Sequence, residues 1–307
     1  MRLFSRRHPL LFFFLMTTGM ICGTVVAVSL LIGLVALEVG GDRIAGTRGS
    51  GEQIGVVDIV GVITDARPVI EGLRYFREQD DVKAIVVRID SPGGGVGPSQ
   101  EIYREIMKTT AEKKVVASLG SVAASGGYYA ASAADGIMSN PGTVTGSIGV
   151  IMGYTNIQDI MEKIGLKPVV IKSGEFKDIG SPSREMRESE RKLLQGFVDQ
   201  VHQQFVADVC RGRGLTEASV MAIADGRIFS GERAGELGLV DRMGNFDDAL
   251  NYAGELAGLE GAVEAVYPPK KPSPFMEYLT CVSIREWFQL VKGVTQTGPS
   301  YLYQPGS

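Results

Sequence analysis

A serine hydroxyl attacks a carbonyl only when a neighbouring group takes its proton. Ser125, in the stretch SVAASGGYYAASAAD (residues 121–135), admits two readings. At the start of a helix its hydroxyl would face the positive end of the dipole, and the Gly126 N–H would help hold a developing oxyanion. The other reading is packing, because Ala, Ser and Gly let two backbones approach closely. The stretch lacks the full G-x-S-x-G pattern of a nucleophile elbow.

The base is the harder question. The chain has two histidines, His8 and His202. His8 precedes a long apolar segment, and His202 reads as a half-exposed residue in mid-helix, beside Val201 and flanked by glutamines. Ser–His–Asp chemistry is therefore set aside, and a Ser–Lys pair remains. Its lysine must be neutral, so a pKa near about 10.4 has to fall by several units through burial. Lys163 and Lys167 flank a short predicted helix and read as solvated. Lys172 and Lys177 share the Gly- and Ser-rich loop IKSGEFKDIGSP, a placement that suits a catalytic group without choosing between them.

A second glycine-rich turn, DSPGGGVG (90–97), leaves a strand and enters a helix. It is no phosphate cradle of the P-loop kind, because no Gly-Lys-Ser/Thr follows, and Pro98 breaks the dinucleotide-binding spacing. Two readings stay open: a plain tight turn, or an oxyanion hole whose glycines present backbone N–H groups with no Cβ in the way.

The elements around these turns follow from periodicity. Ile54–Ile63 and the β-branched run Ala84–Ile89 read as strands, with a short helix at Val69–Glu78 between them. Pro98 suits the first turn of a helix running to about Thr110; Val115–Leu119 is the next strand, and a helix starts near Ser125. This alternation predicts an α/β fold with mainly parallel pairing. Ser181-Pro182 is expected to open a long helix whose buried face is Leu194, Phe197, Val201, Phe205 and Val209, ended by Gly212 and Gly214. ADGRIFSGERAGELGLVDRMG reads as strand, helix, glycine cap, strand and turn.

Composition bounds the rest. A formal charge of −4 without a basic cluster gives no footprint for a nucleic-acid partner. Cys22, Cys210 and Cys281 form no metal-binding spacing, so no metal or cofactor is expected; outside the cytoplasm a Cys210–Cys281 bridge is open. Arg2, Arg6 and Arg7 precede 29 uncharged residues, Pro9–Leu37. A span of a bilayer takes about 20 residues, and the apolar part of a cleaved signal only about 7–15. The expected organisation is a cytoplasmic N-terminus (1–9), an uncleaved signal anchor (10–37), a flexible linker (38–53), a catalytic domain (54–260) beyond the membrane and a C-terminal tail (261–307).

Together the blocks DSPGGGV, GSVAASGGYYAASAAD, GTVTGSIGVI, SGEFKDIGSPSREM and DGRIFSGERAGELGLVD resemble the signal peptide peptidase A family in its short form, over roughly residues 54–260. The resemblance implies the spiral ββα fold shared with Clp protease and crotonases. It implies Ser125 as nucleophile and Lys177, 52 residues later, as general base; Lys172 does not match. Ser147 of TGSIG matches a lysine-positioning hydroxyl, and the N–H groups of Gly94 and Gly126 match the oxyanion hole. It further implies a homo-oligomeric ring, an octamer, in which neighbours complete each other's sites. The implied activity is a serine endopeptidase of the bacterial inner membrane that degrades remnant signal peptides. Rival readings are a related protease of membrane-organising proteins, a crotonase-like acyl-CoA enzyme and a non-catalytic scaffold.

Overall fold

The computed structural model describes residues 12–14, 16–20, 22–24 and 53–269, and Met1–Gly51 and Glu52–Ser307 form separate units. In the first unit the described residues are helical. Among the described residues no helix is long and apolar enough to cross a membrane. Most of the expected anchor (10–37), nearly all of the linker, His8 and Cys281 lie outside the described residues.

The second unit is built on strands β1 (Gln53–Val60), β2 (Val82–Ser91) and β3 (Lys114–Ala124), paired in parallel with β2 in the middle. Helix α1 (Arg67–Arg77) connects the first two and α2 (Val96–Thr110) the next two. Successive strand residues face opposite sides, so a strand covered on both faces reads as an unbroken apolar run. Residues 84–89 behave this way. Ile85, Val87 and Ile89 pack in the larger core with Leu73, Phe76, Ile102 and Ile106 of α1 and α2. Ala84 and Val86 face the smaller core, under Ala249, Leu250 and Ala253 of a C-terminal helix, Phe246–Ala257.

Beyond β3 come α3 (Gly126–Ala131), β4 (Gly136–Ser139), β5 (Val144–Gly146), α4 (Gln158–Lys163), α5 (Glu188–Arg213), α6 (Glu217–Met221) and β6 (Ile228–Ser230). They are followed by α7 (Gly231–Glu236), β7 (Arg242–Met243), the C-terminal helix as α8, and β8 (Glu264–Val266). The main sheet order is β6-β5-β3-β2-β1-β8, with β4 bridging β3 to β7; among the described residues only β5–β6 is antiparallel. Strand β3 changes partner along its length, pairing β4 through Val116–Leu119 and β5 through Val122–Ala124. The register with β2 shifts at the same place, and the Asp90 carboxylate accepts the Val122 N–H there (3.1 Å). After the shift Ser91 lies beside Ala123, which brings the two glycine-rich turns together.

Several boundaries differ from expectation. The long helix begins at Glu188, not at Pro182. The Pro182 carbonyl instead accepts the Ile157 N–H (2.7 Å), and the helix starts where the Glu190 carboxylate accepts the Arg187 backbone N–H (2.9 Å). Its buried stripe begins only at Val201. Phe197 is 51% exposed and Leu194 partly exposed, because among the described residues no element packs against that side of the first half of α5. Gly214 ends the helix in the left-handed conformation (φ 64°), whereas Gly212 lies inside it. The sheet runs past residue 260, since β8 pairs with β1 at Gln53–Gly55.

Candidate active site

Ser125 occupies the residue between β3 and α3, with φ 52° and ψ −120°. Among the described residues only it and Ser147 (φ 53°) combine a positive φ with a side chain. Such a backbone costs about 1–3 kcal/mol and persists only where its surroundings dictate it. Here they do: the Ser125 N–H donates to the Gly146 carbonyl (2.9 Å), and its carbonyl accepts the Tyr129 N–H (2.8 Å). The Ser147 N–H in turn donates to the Arg227 carbonyl (2.8 Å). Because Ala124 pairs with Gly146, the ends of β3 and β5 present the two strained serines side by side. Ser125 precedes the helix without capping it with its side chain, so the hydroxyl is not spent on the helix end.

The other turn explains its own glycines. Gly94 bridges Ile63: the Ile63 N–H donates to the Gly93 carbonyl (2.9 Å) and the Gly95 N–H to the Ile63 carbonyl (2.8 Å). In a ladder that uses the groups of the flanking residues, the N–H of the middle residue points the opposite way. The Gly94 nitrogen accordingly lies 3.2 Å from where a Cβ on Gly126 would sit. A Cβ on Gly93 (φ 99°) would come within 2.6 Å of the Gly126 nitrogen and 2.9 Å of the Ser125 Cβ. As the first residue of α3, Gly126 has an N–H that no helical carbonyl can take. Two backbone donors thus stand beside one serine, an arrangement able to stabilise an oxyanion formed on attack.

A cavity of about 360 Å³ opens over this junction, lined by Gly94, Ser125, Gly126 and Ser147. Val96, Ile151, Val201 and Phe205 give it an apolar wall, with Tyr129 stacked 4.5 Å from Phe205 between ring centroids. Burial, then a hydrogen bond to Asp208, pushes the Tyr129 phenol far above its usual range, so it stays neutral. Asp225, also lining the cavity, is held at about 2 by hydrogen bonds from Arg227 and stays ionised.

Four of the five expected site residues therefore meet around one cavity. Lys177 does not line it within one chain; it sits exposed in the turn Gly174–Lys177. His202 is partly buried, and its Nε2 has no hydrogen-bond partner among the described residues. Cys210 is a free, partly buried thiol. Among the described residues no cluster of His, Cys, Asp or Glu could hold a metal. Reading by motif missed Gly93, whose role is close approach, and the α5 residues Val201 and Phe205. Their three- and four-residue spacing marked them only as core.

Replacing Gly94 with alanine drives a Cβ to 2.2 Å from the Ile63 carbonyl oxygen, and the bridge that aims the N–H must open. Losing one such donor lowers kcat by about 100-fold. Gly97, three residues on, has nothing within 4 Å of its Cβ position, so Gly97→Ala is the matched control. Steady-state kinetics on both variants checks this; full kcat in Gly94→Ala would remove that N–H from the reaction.

A strained serine between a parallel sheet and a helix, with two backbone donors beside an apolar cavity, is the arrangement a serine hydrolase of Clp-like α/β fold would use. Comparison with known proteins agrees. The chain matches the Peptidase family S49 model over residues 107–260 and the Clp protease model over residues 55–145. It is 43% identical over 231 residues to a Synechocystis sp. protein provisionally assigned as a protease, covering 75% of this chain and 83% of the relative. It is also 33% identical over 229 residues to "Serine protease SPPA, chloroplastic" of Arabidopsis thaliana, covering 73% of this chain and 34% of that one. For "Protease 4" of Salmonella typhi the values are 35% over 189 residues, 61% and 30%, so the chain spans about a third of these two longer relatives. The chain belongs to peptidase family S49 and is a serine peptidase.

Proposed function

We propose that this peptidase is a membrane-anchored, ring-forming endopeptidase with a Ser125–Lys177 dyad, acting outside the cytoplasm on remnant signal peptides. The observation that carries it is the strained Ser125 beside the Gly94 and Gly126 N–H groups, over an apolar cavity. Neutral Lys177 takes the hydroxyl proton as Ser125 Oγ bonds to the peptide carbonyl carbon. The oxyanion is held by the two N–H groups, and Ser147 orients the lysine amine. On collapse the C–N bond breaks, the lysinium gives its proton to the leaving amine, and an acyl-serine remains. Water, deprotonated by the same lysine, then releases the acid and restores the serine.

The exposure of Lys177 supports a dyad completed by a neighbouring chain. So does the apolar surface that the 150–200 region leaves uncovered: Ile151, Val169 and Ile171 are 98%, 85% and 98% exposed. A head-to-tail interface that repeats around a ring would cover such side chains. The apolar cavity wall suits the side chains of a signal peptide, and the uncharged 10–37 segment would keep the enzyme beside its substrate.

The test offers the assembled protein fluorogenic peptides of small and apolar residues, polar peptides of equal length, and acyl-CoA thioesters. Apolar peptides should be cleaved fastest, and Lys177→Ala should lose about 10,000-fold or more in kcat/KM. Turnover of the thioesters instead of peptides would favour the acyl-CoA reading. An unimpaired Lys177→Ala would remove the dyad.

A further inference from the structure

The turn carrying Lys177 is gripped by charges that do no work in either core. Glu190, the third residue of α5, has no solvent exposure. Its carboxylate accepts from Arg184 Nη1 (2.9 Å) and Nη2 (2.5 Å), from Arg187 Nη2 (2.5 Å) and from the Arg187 backbone N–H (2.9 Å). Arg184 also donates through Nε to Asp178 Oδ2 (3.0 Å) and through Nη2 to the Asp178 carbonyl (3.1 Å). Arg187 reaches the Glu175 carbonyl (2.7 Å), as does Lys172 Nζ (2.9 Å), whose second contact is Asp178 Oδ1 (2.5 Å). The carbonyls held, Glu175 and Asp178, bracket Phe176 and Lys177.

Asp178 is the immediate neighbour of Lys177, and both its carboxylate oxygens are taken, one by Lys172 and one by Arg184. Hydrogen bonds from Arg184 and then Lys172 hold its pKa well below the usual carboxylate range, so it is an anion at every pH where hydrolysis is measured. A free anion beside a lysine favours the charged lysine, which cannot act as a base. Among the described residues Lys177 has no carboxylate partner. The charged groups facing Asp178 are Lys172 and Arg184, with Arg187, Glu190, Glu175 and Glu185 around them.

We propose that Arg184 and Asp178, anchored on buried Glu190, are positioning residues for Lys177: they fix the turn on both sides of the lysine and keep the adjacent carboxylate away from its amine. This rests on Lys177 being the base.

The experiment measures kcat/KM against pH for the full chain in its native assembly. Arg184→Gln keeps a donor for Glu190 but releases Asp178 Oδ2. Its rising limb should move to higher pH by about one unit, the size expected when a carboxylate gains access to an ammonium. In Arg184→Gln/Asp178→Asn the charge is gone, so the limb should return to the wild-type position while kcat stays reduced by the loosened turn. Asp178→Asn alone should lower kcat several-fold with little change in KM and no alkaline shift. An unmoved limb in a folded Arg184→Gln, a shift that persists in the double variant, or wild-type kcat in Asp178→Asn would each overturn the proposal. Should Arg184→Gln fail to fold, Asp178→Asn still decides it. The dyad is tested separately: a fully active Lys177→Ala ends that reading, whereas an inactive Lys177→Ala with unmoved profiles ends only this one.

Discussion

Replacing Ser125 with alanine is expected to cut peptide hydrolysis by about 10,000-fold or more, because a nucleophile and its base act as one unit and neither works alone. Circular dichroism and assembly should not change, since Ser125 caps nothing with its side chain and only a hydroxyl is lost. A second variant makes the prediction sharper. Ser125→Gly removes the same hydroxyl, but it also relieves a backbone at φ 52°, ψ −120° that a side chain tolerates poorly. Strain of about 1–3 kcal/mol is recovered, against about 0.5–1 kcal/mol for the extra freedom glycine gives the unfolded chain. Ser125→Gly should therefore be as inactive as Ser125→Ala yet unfold at a higher temperature in calorimetry. This is the pattern of a residue kept for chemistry at a cost to stability. Activity in either variant would take the nucleophile role from Ser125. A glycine variant less stable than the alanine one would show that the turn stores no strain.

The parts of this site that could be read from sequence are those set by local backbone rules. Glycines in DSPGGGV and AASGG announced tight approaches, and the β-branched run 84–89 announced a strand buried on both faces. The places where reading failed are places where distant contacts decide. Ser181-Pro182 carries a good helix-start signal, yet the helix waits for Arg187, whose backbone N–H donates to the Glu190 carboxylate, because Arg184 draws residues 178–187 into turns around Asp178 and Glu190. The α5 stripe from Leu194 to Val209 has uniform spacing, but only Val201 onward meets this chain's core. Periodicity reports that a face is to be covered and is silent on which molecule covers it. The choice of Lys177 over Lys172 is of the same kind. Both share one loop, and placement in it does not choose between them. The family resemblance matches Lys177, and the contacts leave that reading open, because Lys172 is bound to Asp178 while Lys177 has no carboxylate partner among the described residues.

That separation leads to the prediction that most directly tests the assembly. Ser125→Ala and Lys177→Ala should each be inactive as pure preparations, but dissociating, mixing and reassembling them in equal amounts should restore hydrolysis. If each site takes its serine from one chain and its lysine from the next, a working site needs a Lys177→Ala chain followed by a Ser125→Ala chain. Random mixing in a heterologous ring produces that order at about one interface in four, so activity should return to about a quarter of wild type. Were both groups supplied by one chain, every site in the mixture would lack one of them and the rate would stay at zero. The exposed Phe197 of α5 and the exposed Ile151, Val169 and Ile171 favour the first outcome, because among the described residues nothing of the same chain covers these apolar side chains. A charge at Ile171, as in Ile171→Glu, should then dissociate the ring in sedimentation and abolish the recovery together, whereas a dyad within one chain would survive dissociation.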